Sequence, residues 1–271
     1  MWKQSIICLL IFCGCSGFEK SEQANIRRAN AKAEKILRYH DEHLCKIEPP
    51  KHRIRESYSF ETYLGSHPKI TKEYFRCRGS TKNPPRFLHE GVLNLCRYDC
   101  GGYDKHSLPI KEDKEFIYPV LIDLLNEVQK ITTKKVKITC GHRCPAHHFY
   151  AASNKENNNS KHLIGAEVDF YVEGMQDIPQ QVVDIIMSYY QRKYEGQTDY
   201  SSFTRVPSED TRCKGWCNKE ILIKVYQKDE GRDFDNQHAY PYVMIQVRQD
   251  RDTNQKIMCN LDQATRCFLR W

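Results

Sequence analysis

The amino-acid sequence predicts an α+β fold: a small, mainly antiparallel sheet flanked by helices, with a disulfide-rich N-terminal segment. Three observations carry this expectation. Four short segments alternate β-branched or aromatic residues with polar ones, as half-buried strands do. Two longer segments space apolar residues along one face of a helix. Thirteen cysteines, most of them outside these elements, supply potential crosslinks. The chain has 271 residues, 39% of them hydrophobic, which suits one main core better than two full domains.

Taken in order, the first residues, MWKQSIICLLIFCGCSGFEK, combine Lys3 with an apolar run from Ile6 to Phe12 that is too short to span a bilayer. Residues 1–15 therefore read as a signal peptide similar to that of bacterial lipoproteins, with Gly14 before a lipidated Cys15. Phe12 departs from the leucine usual three places before that cysteine, and a plain secretory signal would export the chain equally. Either reading puts the protein in the bacterial cell envelope, on the periplasmic side. The first also anchors it to a membrane through lipid.

Residues 16–47 form a charged spacer in which Ile26, Ala29, Ala33, Ile36, His40 and Leu44 fall at helical spacing. Residues 48–112, broken by KIEPPKHR and STKNPPRF, read as a loop-rich, cysteine-containing segment packed on the main domain. The main domain spans residues 113–271. It opens with a helix from Glu115 whose face is Phe116, Val120, Leu121, Leu124, Leu125 and Val128. KKVKITC alternates as a strand and leads through GHRCPAHHFYAAS, a turn and a short helix, towards a second strand, AEVDFYV. A second helix starts at an Asp177 cap with Pro179 just inside. EILIKVY and YPYVMIQVR add two strands, and the tail KIMCNLDQATRCFLRW suggests a last one.

The 42 Lys and Arg are interleaved with 35 Asp and Glu rather than gathered into a stripe, which argues against a nucleic-acid partner. Cys8 and Cys13 lie in the signal and Cys15 would carry lipid. The remaining cysteines are Cys45, Cys77, Cys96, Cys100, Cys140, Cys144, Cys213, Cys217, Cys259 and Cys267, an even set of ten. In an exported chain an even set favours disulfides over a thiolate metal cluster. C-x3-C occurs three times, whereas zinc knuckles more often separate their cysteines by two residues.

The stretch SNKENNNSKHLIGAEVDFYV delivers His162 and Asp169 across a turn at Gly165, a pairing able to hold a metal above the start of a strand. Together, ITCGHRCPAHH and SKHLIGAEVDF resemble the zinc D-alanyl-D-alanine carboxypeptidases and murein endopeptidases of peptidase family M15 over residues 116–248. The resemblance implies the hedgehog/DD-peptidase fold, with His162 and Asp169 as Zn2+ ligands. It places the substrate-carboxylate arginine at Arg143, with Ser160 beside it. Two departures accompany it: Met244 stands where the family has its third ligand histidine, and Glu167 where it usually has alanine. A thioether suits zinc poorly. His238 is a candidate replacement ligand, and Asp235 and Glu167 are candidate proton-shuttling carboxylates. His142, His147 and His148 crowd the Arg143 turn, although capping and packing account better for the last two. The function implied is hydrolysis of peptidoglycan stem peptides by a D,D-carboxypeptidase or D,D-endopeptidase. The alternative is a catalytically degenerate lipoprotein of the same fold that binds peptidoglycan or a protein partner.

Overall fold

Alternating side chains along six short strands build the central sheet: β1 (Val136–Cys140), β2 (Glu167–Val172), β3 (Thr204–Val206), β4 (Lys214–Cys217), β5 (Ile221–Tyr226) and β6 (Tyr242–Val247). Their order is β1-β2-β6-β5-β4-β3, and every neighbouring pair is antiparallel. The computed structural model describes residues 63–64, 67–90, 93–152, 160–207, 214–231 and 233–269. The expected signal peptide, the Cys15 lipid site, the helix over 16–47, Cys45 and Cys213 lie outside them.

The helices are α1 (Pro119–Thr132), α2 (Pro145–Ala151), α3 (Pro179–Lys193), α4 (Thr198–Ser201) and α5 (Leu261–Arg266). Among the described residues, no helix is long and apolar enough to cross a membrane. The first three start with proline, whose fixed φ suits the first helical position and whose missing N–H costs nothing there. On one face of the sheet, Val168, Phe170, Ile223, Val225, Val243 and Ile245 pack against Leu121, Leu124 and Leu125 of α1 and Val182, Val183 and Ile186 of α3. Each such side chain contributes about 1.5–3 kcal/mol by leaving water. The period of two then obliges Glu167, Asp169 and Met244 to project from the opposite face.

The cysteine-bearing segment before α1 is tied to the main domain by polar side chains. Asn126 of α1 accepts the Ile70 N–H at 2.8 Å and donates to the Ile70 carbonyl at 2.8 Å. Gln129 donates to the Pro68 carbonyl and accepts the Val136 N–H, joining the segment, α1 and β1. Arg76 forms charge-assisted bonds to Glu73 and Glu115.

Four expectations are corrected. Helix α1 begins at Pro119, because Glu115 belongs to a two-stranded hairpin, Ile110–Lys111 with Lys114–Glu115, and accepts from Arg76. Ile178 rather than Asp177 occupies the cap of α3. The tail forms α5 instead of a strand, packing Ala264, Leu261 and Cys259 against Leu163 at helical spacing. None of the eight described cysteines is in a disulfide. The short strands β3 and β4 were not expected at all; three and four residues are too few to show a clear period.

Candidate metal centre

A one-residue irregularity in β1 organises the site. Ile138 pairs with Phe170, but the next partner, Asp169, faces Cys140, so Thr139 is the extra residue of a β-bulge. In an unbroken ladder Thr139 would oppose Asp169 and Cys140 would turn to the other side. The bulge brings Cys140 beside Asp169 on the face away from the helices. Met244 of β6 flanks Asp169 from the other strand.

His162 arrives from a 3-10 turn, Lys161–Ile164, closed by Gly165 in the left-handed region at φ 68°. The turn at Gly165 expected from the sequence is present, and a side chain there would also strike Ile117. The Nδ1 proton of His162 is donated to the Gly141 carbonyl at 2.7 Å. That leaves Nε2 as the nitrogen able to accept a metal, 3.5 Å from Asp169 Oδ2 and 3.9 Å from Glu167 Oε1. Cys140, His162 and Asp169 each present one donor atom, all within 4.8 Å of one another, and all three residues are buried. Burial alone would lower the His162 pKa, but Cys140, Glu167 and Asp169 outweigh it and hold it well above the usual histidine range. One thiol, one imidazole and one carboxylate form a donor set that fits zinc.

The structure separates the remaining candidates. His238 does not join this cluster: its ring stacks on Tyr240 at 5.1 Å and meets Tyr242 edge-on, and Cys140 takes the place proposed for it. Ser160 is buried, and its Oγ has no hydrogen-bond partner among the described residues. Met244 packs with Tyr226 and Tyr242 in a small apolar cluster.

Arg143 differs most from expectation. Its side chain is 0% exposed and is fully engaged inside the protein. It bonds Asp233 Oδ2 at 2.5 Å, Asp235 Oδ1 at 2.6 Å and Cys140 Sγ at 3.1 Å. With each of its three nitrogens bonded inside the protein and no surface exposed, this guanidinium cannot offer a fork to a substrate carboxylate. Asp235 is likewise a structural partner, since its other oxygen lies 3.3 Å from His147 Nε2. The same 233–236 segment reaches the metal face directly, because Asn236 Nδ2 donates to Asp169 Oδ2 at 3.2 Å. Glu167, which accepts the Lys161 N–H, is the expected carboxylate that stands next to the cluster.

A second group lies at the far end of the same loop. Cys77, Cys100, His106 and Cys144 are all buried, with one donor atom from each within 4.8 Å of the others. Crowding splits the thiols: hydrogen bonds from Cys100 and Cys77 hold Cys144 well below the usual thiol range, whereas burial raises Cys77. Between the two groups, burial pushes His142 down to about 3, so its ring is neutral. Sequence reading treated these cysteines as disulfide partners. The signal that marks them is the overlap of a C-x3-C pair with the Arg143 turn, one cysteine for each group. The chain was compared with protein-family profiles, curated proteins and solved structures, and none matches it.

Two outcomes follow. Arg143→Ala removes the guanidinium bonded to buried Asp233 and Asp235 and is expected to cost about 3–5 kcal/mol, measured by urea unfolding; an unchanged midpoint contradicts the clamp. His147 is opposed by burial, but Asp99 and Asp235 raise its pKa above the unfolded value of about 6.5. The resulting stability is fully present below the unfolded pKa and is lost as pH rises through the folded one. The gap between the parent and His147→Gln should therefore be widest near about pH 6 and shrink at alkaline pH. A gap that grows with pH refutes this.

Proposed function

We propose that the chain is a zinc-dependent peptidase of the hedgehog/DD-peptidase fold, of the M15 type, acting on peptidoglycan stem peptides in the bacterial cell envelope. The supporting observation is the convergence of Cys140, His162 and Asp169 on the non-core face of the sheet, at the two positions the family resemblance assigns to zinc and one it does not. Three protein donors are the usual complement of a hydrolytic zinc site, whereas structural sites generally use four. Zinc held there supplies a Lewis acid for a peptide carbonyl.

The neighbouring residues take definite roles in this reading. Glu167 is the general base, because it is the carboxylate beside His162 Nε2 that Arg143 does not occupy. Arg143 positions Cys140 and the 233–236 segment instead of gripping substrate. Without an arginine for a terminal carboxylate, cleavage within a crosslinked peptide suits the site better than removal of a terminal D-alanine. The lipid anchor at Cys15 belongs to the same proposal and rests on the signal-like residues 1–15.

A second reading, the catalytically degenerate binding lipoprotein, is favoured by Met244 at the expected third histidine and by the complete enclosure of Arg143. One experiment separates the two readings. Purified protein is assayed for zinc and for cleavage of crosslinked muropeptides by mass spectrometry. The peptidase reading expects His162→Ala to lose one zinc and to lower cleavage by more than about 100-fold, beyond the loss typical of removing a ligand's supporting contact. Equal cleavage by parent and variant rejects the mechanism. Zinc without cleavage in the parent leaves the binding reading.

A further inference from the structure

We propose that Cys77, Cys100, His106 and Cys144 form a second, structural zinc site that staples the N-terminal cysteine segment to the loop carrying Cys140 and Arg143. The inference rests on these four residues and not on the peptidase reading. Their spacing is that of ligands rather than of a crosslink. Cys77 Sγ and Cys100 Sγ lie 3.8 Å apart. Sulfurs at two corners of a tetrahedron about 2.3 Å from zinc are separated by about 3.8 Å. A disulfide requires about 2.05 Å.

The histidine is prepared in the same sense. Its Nδ1 is held by the Ser107 carbonyl at 3.1 Å, while among the described residues the buried Nε2 makes no hydrogen bond of ordinary geometry, and the ring interacts with the Cys144 thiol. A carbonyl on one imidazole nitrogen with the other directed at three sulfurs is the usual support for a metal-bound histidine. Three thiolates and one imidazole make a closed tetrahedral set typical of structural zinc.

The surroundings are built for this cluster. Asp99 fixes the Cys100 backbone, accepting its N–H at 2.7 Å, and also accepts from Ser80, Asn83 and His147. The His147 N–H donates to Cys144 Sγ at 3.4 Å. A side chain at Gly79 would come within 2.2 Å of Cys100 Sγ, so glycine is required where the chain passes the cluster. Among the described residues the apolar support is slight, with Ala146 and Phe268 packed around the three cysteines. An ion that joins residues 77, 100, 106 and 144 supplies the cohesion that a hydrocarbon core supplies elsewhere.

The test is zinc content per chain by elemental analysis of the full-length protein, purified under reducing conditions. The variants are Cys77→Ser, His106→Cys and His162→Ala. The proposal expects Cys77→Ser to hold one zinc fewer than the parent, while His106→Cys keeps the parental content. Loaded with cobalt, His106→Cys should show stronger thiolate-to-cobalt charge transfer than the parent, because a fourth sulfur has joined the shell. Should Cys77→Ser fail to fold, titration of the parent with an organomercurial must release zinc as these thiols react. If the parent's single zinc survives in His162→Ala and is lost in Cys77→Ser, this site stands and the peptidase reading alone falls. The proposal is overturned by unchanged zinc in Cys77→Ser, by iron in place of zinc, or by a Cys77–Cys100 disulfide in the non-reduced peptide map of protein isolated without reductant.

Discussion

A guanidinium with no exposed surface governs how this molecule is put together. Arg143 has lost all its hydration, and three directed contacts, to Asp233, Asp235 and Cys140, replace it. Removing such a charge from water is costly unless partners are placed to match it, so the partners must be held as firmly as the arginine. The backbone meets this demand. Arg143 N–H donates to the His162 carbonyl, His142 N–H to the Phe75 carbonyl and Phe234 N–H to the Ala151 carbonyl. Gly141 allows Phe75 to pass, since any side chain there would fall 2.7 Å from its backbone.

The same interior is rich in acid. Glu167, Asp169, Asp233 and Asp235 are all buried, and Arg143 is bonded to the last two, with Arg86 also near them. His147 and His162 are driven towards the charged form to compensate. A divalent cation beside Asp169 relieves the same imbalance more completely than a protonated imidazole, because it carries twice the charge. Excess buried acid is thus a physical reason, independent of any resemblance, for a cation at this face.

Much of the scaffold was legible because it follows from periodicity. The four longer strands, the helices at Pro145 and Pro179 and the turn at Gly165 each announce themselves within a few residues. His162 and Asp169 were found for the same reason, since seven residues and one glycine bring them together. What escaped was non-local. The partners of Arg143 lie about ninety residues downstream, so nothing near it in sequence shows that its charge is consumed. Cys140 depends on a bulge, and a single extra residue leaves no mark in a pattern of alternation. The grouping of Cys77, Cys100, His106 and Cys144 escaped because an even count of cysteines suggests pairs, while these side chains come together from distant segments without any regular spacing. In the tail, Leu261 and Ala264 share one face of a single helical turn, too short a pattern to read in the sequence, and both are packed with Leu163.

Only Gly141, His142 and Arg143 separate Cys140 from Cys144, so one short peptide is tethered at both ends. A tether this short transmits displacement instead of absorbing it. Whatever orders one end removes conformational freedom from the other, and the second ordering event then starts from a smaller ensemble. The two donor groups are thus joined by one short peptide, with neutral His142 and enclosed Arg143 between them.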